Sequence, residues 1–168
     1  IWQWSTFQQD SNCPRADYQT ARDYLAAKVA RLVPGARVID YRDRADFARS
    51  AQENAARQNA MFAAYGMQGM RARAEGGEAL FAYEENGVEM RGVIGVSAAF
   101  YESAAANPLD GSQIKQLTGA TLGTFIATAP NGRIDFALVE ASRRSIVPAA
   151  EWLDRLFALK NAIGGVNA

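Results

Sequence analysis

The sequence predicts an α+β fold: one antiparallel sheet of about five to six strands, with helices covering one face of it. Three observations lead there. Asn86-Gly87 is a strong two-residue hairpin signal between alternating runs. Pro130-Asn131-Gly132 marks a second turn, between Thr121–Thr128 and Arg133–Glu140. Three stretches carry apolar residues at helical spacing, and such stripes need a common surface to bury against.

Taken in order, Trp2 and Trp4 alternate with Gln3 and Ser5 as in a short strand. Asp10–Asn12 reads as a turn, and Pro14 suits the first turn of a helix. Tyr18, Ala21, Leu25, Val29 and Leu32 then predict a helix over 15–33, stopped by Pro34-Gly35. Val38, Ile39 and Tyr41 read as a short strand. A second helix starts at a cap, Asp43 or Asp46, and ends at Gly66, with Phe47, Ala51, Ala55, Phe62 and Tyr65 as its apolar marks. Its many amides and charges place it outside the domain, on one thin buried stripe.

Past Gly69 the pattern turns to strands: Met70–Glu75, Ala79–Glu84, and a long alternating run from Val88 to Phe100. Ala104–Thr118 reads as a polar excursion. Thr121–Thr128 and Arg133–Glu140 are predicted strands, with Ile134, Phe136 and Leu138 on one face. Pro148 opens a last helix over 148–163, with Trp152, Leu156, Leu159 and Ile163 as a stripe to be buried on the sheet and Leu153 and Phe157 beside it. No internal repeat and no long linker divides the 168 residues, so a single domain is expected.

Composition narrows the function. There is no His and a single Cys, Cys13. Ser-His-Asp and Cys-His triads cannot be built from this chain alone, nor can a zinc site of the usual Cys/His kind, so no metal and no cofactor is expected. Eighteen basic and eighteen acidic residues cancel, which sets nucleic acid aside as a main partner. No apolar run is long enough for a membrane span. All basic residues except Lys28, Lys115 and Lys160 are Arg; with abundant Ala this suggests a GC-rich bacterial genome. The chain begins at Ile1, which suggests a removed leader or a piece of a longer protein.

Several short patterns invite a chemical reading. Tyr24-Leu-Ala-Ala-Lys28 matches the Tyr-x-x-x-Lys pair of short-chain dehydrogenases, but no Gly-rich nucleotide turn precedes it. Gly95-Val-Ser97 is half of a nucleophile elbow without the second Gly or a His. Asp40, Asp43 and Asp46 recur every three residues; helix capping and local ion pairs explain them better than calcium. Arg71 and Arg73 share one face of a strand, and Arg91 is placed near them on the next hairpin. Together they form a candidate clamp for a carboxylate or phosphate. Pairing with Glu75, Glu84 and Glu89 on a solvated sheet face is the plainer alternative. Trp2 and Trp4, two large rings on one side of a terminal strand, are candidate interface residues; docking as an extra sheet strand is the other reading.

The hairpin at Asn86-Gly87, its continuation Val88–Ser97, the two strands around Pro130-Asn131-Gly132 and the closing helix Ala149–Ile163 resemble the PsbP-like α/β sandwich family. The resemblance covers roughly the last hundred residues and rests on pattern without a motif. It implies a non-enzymatic binding or assembly role, often outside the cytoplasm, and carries over no functional residue. The first sixty residues depart from that family by placing two helices before the main sheet. The expectation is therefore a non-enzymatic bacterial binding or assembly domain, with a protein partner or self-association. A small-molecule binder or hydrolase using Arg and carboxylates beside the sheet is the alternative. A concave pocket holding Arg71, Arg73 or Arg91 beside an unpaired carboxylate separates the two.

Overall fold

The computed structural model describes residues 2–6, 14–107, 109–146, 151, 154, 155 and 158. Its elements are β1 (Trp2–Ser5), α1 (Ala21–Leu32), β2 (Arg37–Asp43), α2 (Ala45–Ala64), β3 (Met70–Glu85), β4 (Val88–Ala106), β5 (Gln113–Pro130) and α3 (Phe136–Ser145). Residues 1–134 and 135–168 form two compact units. The first holds a five-stranded sheet in the order β1-β5-β4-β3-β2, antiparallel throughout. This is the α+β fold expected.

The centre of the sheet is a meander. Asn86 and Gly87 both take positive φ, 52° and 77°, as a type I′ turn requires, and they join β3 to β4. The turn sets the register from Glu85↔Val88 to Met70↔Ser103 without a slip. β4 and β5 pair from Met90↔Pro130 to Ala106↔Gln113, with one bulge near Ser97/Ala98. The expected polar excursion is therefore mostly strand. Only its tip is a loop, closed by the Asn107 amide donating to the Ser112 carbonyl (2.6 Å) and by Asp110 accepting from the Ser112 amide (2.9 Å).

Side chains alternate across this sheet, and each face has its own helix. Ala79 and Phe81 of β3, with Ile94, Val96, Ala98 and Phe100 of β4, pack against Tyr24, Leu25 and Val29 of α1. Ala72, from the opposite face of β3, packs with Ala55 and Phe62 of α2 and with Tyr101. On that second face Phe47 of α2 meets Phe125 of β5 edge to face, centroids 5.5 Å apart. Coverage of one face only is thus corrected to coverage of both. α2 does bury a thin stripe, Ala48, Ala55 and Phe62, with Phe47 and Ala51 half-buried, whereas Tyr65, expected on that stripe, is exposed. Part of its polar surface also has work at the sheet. Where β2 stops covering β3, the Asn59 amide donates to the Ala72 carbonyl and accepts from the Ala72 N–H (2.8 and 2.7 Å), and Gln52 donates to the Ala74 carbonyl (3.3 Å).

Three boundaries differ from expectation. α1 starts at Ala21 because Thr20 and Asp23 form a capping box; the Thr20 side chain accepts from the Asp23 N–H and the Asp23 carboxylate from the Thr20 N–H. The stretch before it is extended and bridges in parallel to β1 through Ser5↔Arg15. Arg133–Glu140 is not a strand. Asp135 caps α3 by accepting from the Ala137 and Leu138 N–H groups, so the helix overrides the alternation of Ile134, Phe136 and Leu138. Arg44, not Asp43 or Asp46, is the N-cap of α2, and it makes no side-chain cap bond. Of the expected C-terminal helix, Glu151, Asp154, Arg155 and Ala158 are helical and exposed. Trp152, Leu153, Leu156, Phe157, Leu159 and Ile163 lie outside the described residues.

The N-terminal strand is held by its indole. β1 adds to β5 through Trp2↔Thr121 and Trp4↔Gly119. Trp4 is 0% exposed. Its ring stacks on Tyr24 (centroids 5.3 Å) and meets Tyr18 and Phe100 edge-on (5.6 and 5.8 Å). The indole N–H donates to the Tyr18 carbonyl at 3.1 Å. Trp4 is therefore a core residue docked in its own chain, not an interface residue. The Trp2 side chain lies outside what the structure describes.

Gly119 makes that seat possible. A Cβ there would stand 2.1 Å from the Trp4 ring, whereas one at Gly123 meets nothing within 4 Å. Gly119→Val should cost at least about 1–3 kcal/mol through overpacking. Gly123→Ala should leave stability within about 1 kcal/mol. Thermal unfolding of the two variants checks this; equal midpoints would contradict the seating of Trp4 on Gly119.

Candidate functional site

The extended stretch before α1 has a second consequence. It crosses the end of the sheet and closes one side of a cleft. Ser5 donates its N–H to the Pro14 carbonyl (3.1 Å) and accepts from the Ala16 N–H (3.0 Å), which ties the stretch to β1. Arg73 ties it to β3 and β4. Its guanidinium lies 4.1 Å from the Phe100 ring centroid, donates to Glu102 at 2.7 Å, and also reaches Glu75 and the Gln19 carbonyl. The other Glu75 oxygen accepts from the Ala21 N–H at 2.8 Å. Arg73 is thus fully engaged in holding the wall of the cleft.

The cleft has a volume of about 570 Å³, within the range of small-molecule sites. Arg15 from the extended stretch, Arg71 from β3 and Lys115 from β5 line it together. All three are exposed, and none has an ion-pair partner among the described residues. Register explains the convergence. Arg71 stands opposite Glu102, Glu102 opposite Leu117, and Ala104 opposite Lys115, so the starts of β3 and β5 meet at one end of one face. Two carboxylates also line the cleft. Glu102 pairs with Arg73, which it shares with Glu75, and Asp17 accepts from the Gln19 side chain. The local balance is positive.

Among the expected site residues, Arg71 and Arg73 do share a face. Arg91 does not join them. It pairs opposite Ala82, on the other face, and forms an ion pair with Glu89 at 2.6 Å. At about 3.3 Å per residue it lies roughly 35 Å along the sheet from Glu102. The two-residue turn already contains this answer: counting outward from Glu85↔Val88 puts Arg91 opposite Ala82 and Arg71 opposite Glu102. Nothing in the local sequence singles out Arg15 or Lys115, because both depend on tertiary placement.

The remaining patterns resolve as structure. The Tyr24 ring is buried against Trp4, so the Tyr24–Lys28 pair offers no reactive phenol. Ser97 sits mid-strand opposite Gly123. Asp40 and Asp43 pair opposite Leu80 and Gly77, on different faces, and Asp46 pairs with Arg44. Arg44 also reaches the buried Glu78 at 2.7 Å and Arg42 donates to it at 2.6 Å, which clamps β2 and the start of α2 onto β3. Burial, and then the hydrogen bond with Asp43, pushes the Tyr41 hydroxyl up to about 12.

No known protein family, curated protein or solved structure matches this chain.

Arg73→Met should cost about 2 kcal/mol by stripping charge-assisted bonds from Glu102 and Glu75. It should also speed hydrogen exchange at the Ala16 and Ala21 amides more than at the Tyr83 amide in the meander. Unchanged protection at Ala16 and Ala21 would contradict the role of Arg73 as the tie of the cleft wall.

Proposed function

We propose that this protein is a non-enzymatic binding domain that holds an anionic ligand in the cleft at the end of its sheet. The observation that carries this reading is the meeting of Arg15, Arg71 and Lys115, all without an ion partner among the described residues, in one cleft. Elsewhere in the sheet Arg42, Arg73 and Arg91 are each matched to a carboxylate. Unmatched guanidinium groups in a concave site favour carboxylate or phosphate oxygens, which they bind in a bidentate fork.

A hydrolase in the same cleft is less well supported. Such an enzyme needs a general base or nucleophile poised beside the ligand. The chain has no His, and Glu102 is held by Arg73; Asp17, which accepts only from the neutral Gln19 amide, is the carboxylate beside Arg71 that speaks for this alternative. The non-enzymatic reading also agrees with what the PsbP-like resemblance implies, although Arg133–Glu140, one of the strands behind that resemblance, is mostly the start of α3.

Isothermal titration with citrate, inorganic phosphate and a short Glu-rich peptide tests the proposal and separates small anions from acidic protein segments. Binding of at least one probe is expected. It should weaken with added salt and fall at least about tenfold in Arg71→Glu, where attraction becomes repulsion. Absence of binding by all three probes, or equal binding by Arg71→Glu, would overturn it.

A further inference from the structure

Residues 14–19 form an extended wall of the cleft, and extension sorts their side chains by parity. Ala16 and Tyr18 pack against the core. Arg15, Asp17 and Gln19 alternate with them, are exposed and line the cleft. Neighbours on one side of an extended chain stand roughly 7 Å apart. The wall therefore presents a cation and an anion in succession, and the sheet adds the cations Arg71 and Lys115. The two carboxylates of the cleft are not equivalent. Glu102 pairs with the Arg73 guanidinium at 2.7 Å. Asp17 accepts from the Gln19 side-chain amide, a neutral donor, and has no ion-pair partner among the described residues. A ligand with negative charge alone meets Arg15, Arg71 and Lys115 favourably and Asp17 unfavourably. A ligand that also carries a cation a few bonds from its anionic groups meets all four favourably.

Resting on the reading of this cleft as an anion site, we propose that its ligand is the amino-terminal end of an acidic peptide. The terminal ammonium goes to Asp17, and the peptide carboxylates go to Arg15, Arg71 and Lys115. A primary ammonium is a compact charge with three donors, which an acceptor-only carboxylate matches. The carboxylates find two guanidinium forks and a Lys. A volume of about 570 Å³ is that of a site for drug-sized ligands, so it suits several peptide residues better than one free amino acid. Asp17 then sets specificity, because its charge weakens every anion that lacks the ammonium.

Titration calorimetry with three probes tests this: tri-glutamate with a free amino terminus, the same peptide acetylated there, and free glutamate. Acetylation removes the ammonium and leaves every carboxylate in place. The unaltered protein should bind the free tripeptide at least about threefold more tightly than the acetylated one, and more tightly than glutamate. Asp17 is exposed, and Asp17→Asn keeps an acceptor oxygen for Gln19, so the fold should persist, as circular dichroism would verify. In that variant the preference for the free terminus should vanish, with the acetylated peptide bound at least as well as before. Equal affinity of the unaltered protein for both tripeptides, a preference that persists in Asp17→Asn, or glutamate bound as tightly as the free tripeptide would each overturn the proposal and leave the anion site standing. So would failure of both tripeptides where citrate or phosphate binds. Failure of every probe would overturn the anion site as well.

Discussion

The Trp4 indole joins three parts of the chain that are distant in sequence. Its strand is short, and four backbone pairings with β5 alone would hold a terminal segment weakly. The ring changes that. It lies over Gly119 of β5, stacks on Tyr24 of α1, and touches Phe100 of β4. Its N–H takes the Tyr18 carbonyl, so the polar atom of this buried side chain is satisfied. Strand, helix and meander are thereby fixed to one another at a single point. The glycine is part of the interaction, since the ring needs the space a side chain at 119 would fill.

The cleft depends on the same point. Residues 14–19 reach from β1 to α1 across the end of the sheet, and their two ends are set by Ser5 and by the Thr20 cap. Arg73 fastens the α1 end of this span through the Gln19 carbonyl. With the span in place, Arg15 is brought above the start of β3 and β5, where Arg71 and Lys115 stand. The positive character of the site is then a matter of pairing. Glu75 and Glu102 are committed to Arg73, so that Arg15, Arg71 and Lys115 have no ion partner among the described residues, while Asp17 also lines the cleft. Acidic residues that hold the wall rather than neutralise the floor are what supports the proposed capture of an anion.

How much of this was legible in the sequence depends on whether the signal was local. The hairpin at Asn86-Gly87 was, because two positive φ angles demand those residue types. So was α2, although of its expected stripe only Ala55 and Phe62 are buried and Tyr65 is exposed. Pro14 is a helix-start signal that makes α1 look too long, while Thr20 and Asp23 form a stronger one six residues on. The alternating apolar residues of Arg133–Glu140 predict a strand, whereas the Asp135 cap starts a helix at Phe136. Trp4 was legible as a residue that must be docked, and only the packing showed it docked in its own core. In the cleft, Arg71 and Arg73 could be placed on one face by parity. Their division of labour could not, since it rests on which carboxylates and carbonyls come within reach after folding.

The dependence of fold and cleft on the Trp4 seat is tested most directly by urea denaturation of Trp4→Ala, with hydrogen exchange at Ala16 followed on the same sample. Removing so large a buried ring should cost about 3–5 kcal/mol, and protection at Ala16 should be lost as β1 and the cleft wall come free. A variant that unfolds within about 1 kcal/mol of the unaltered protein, with Ala16 still protected, would contradict the account.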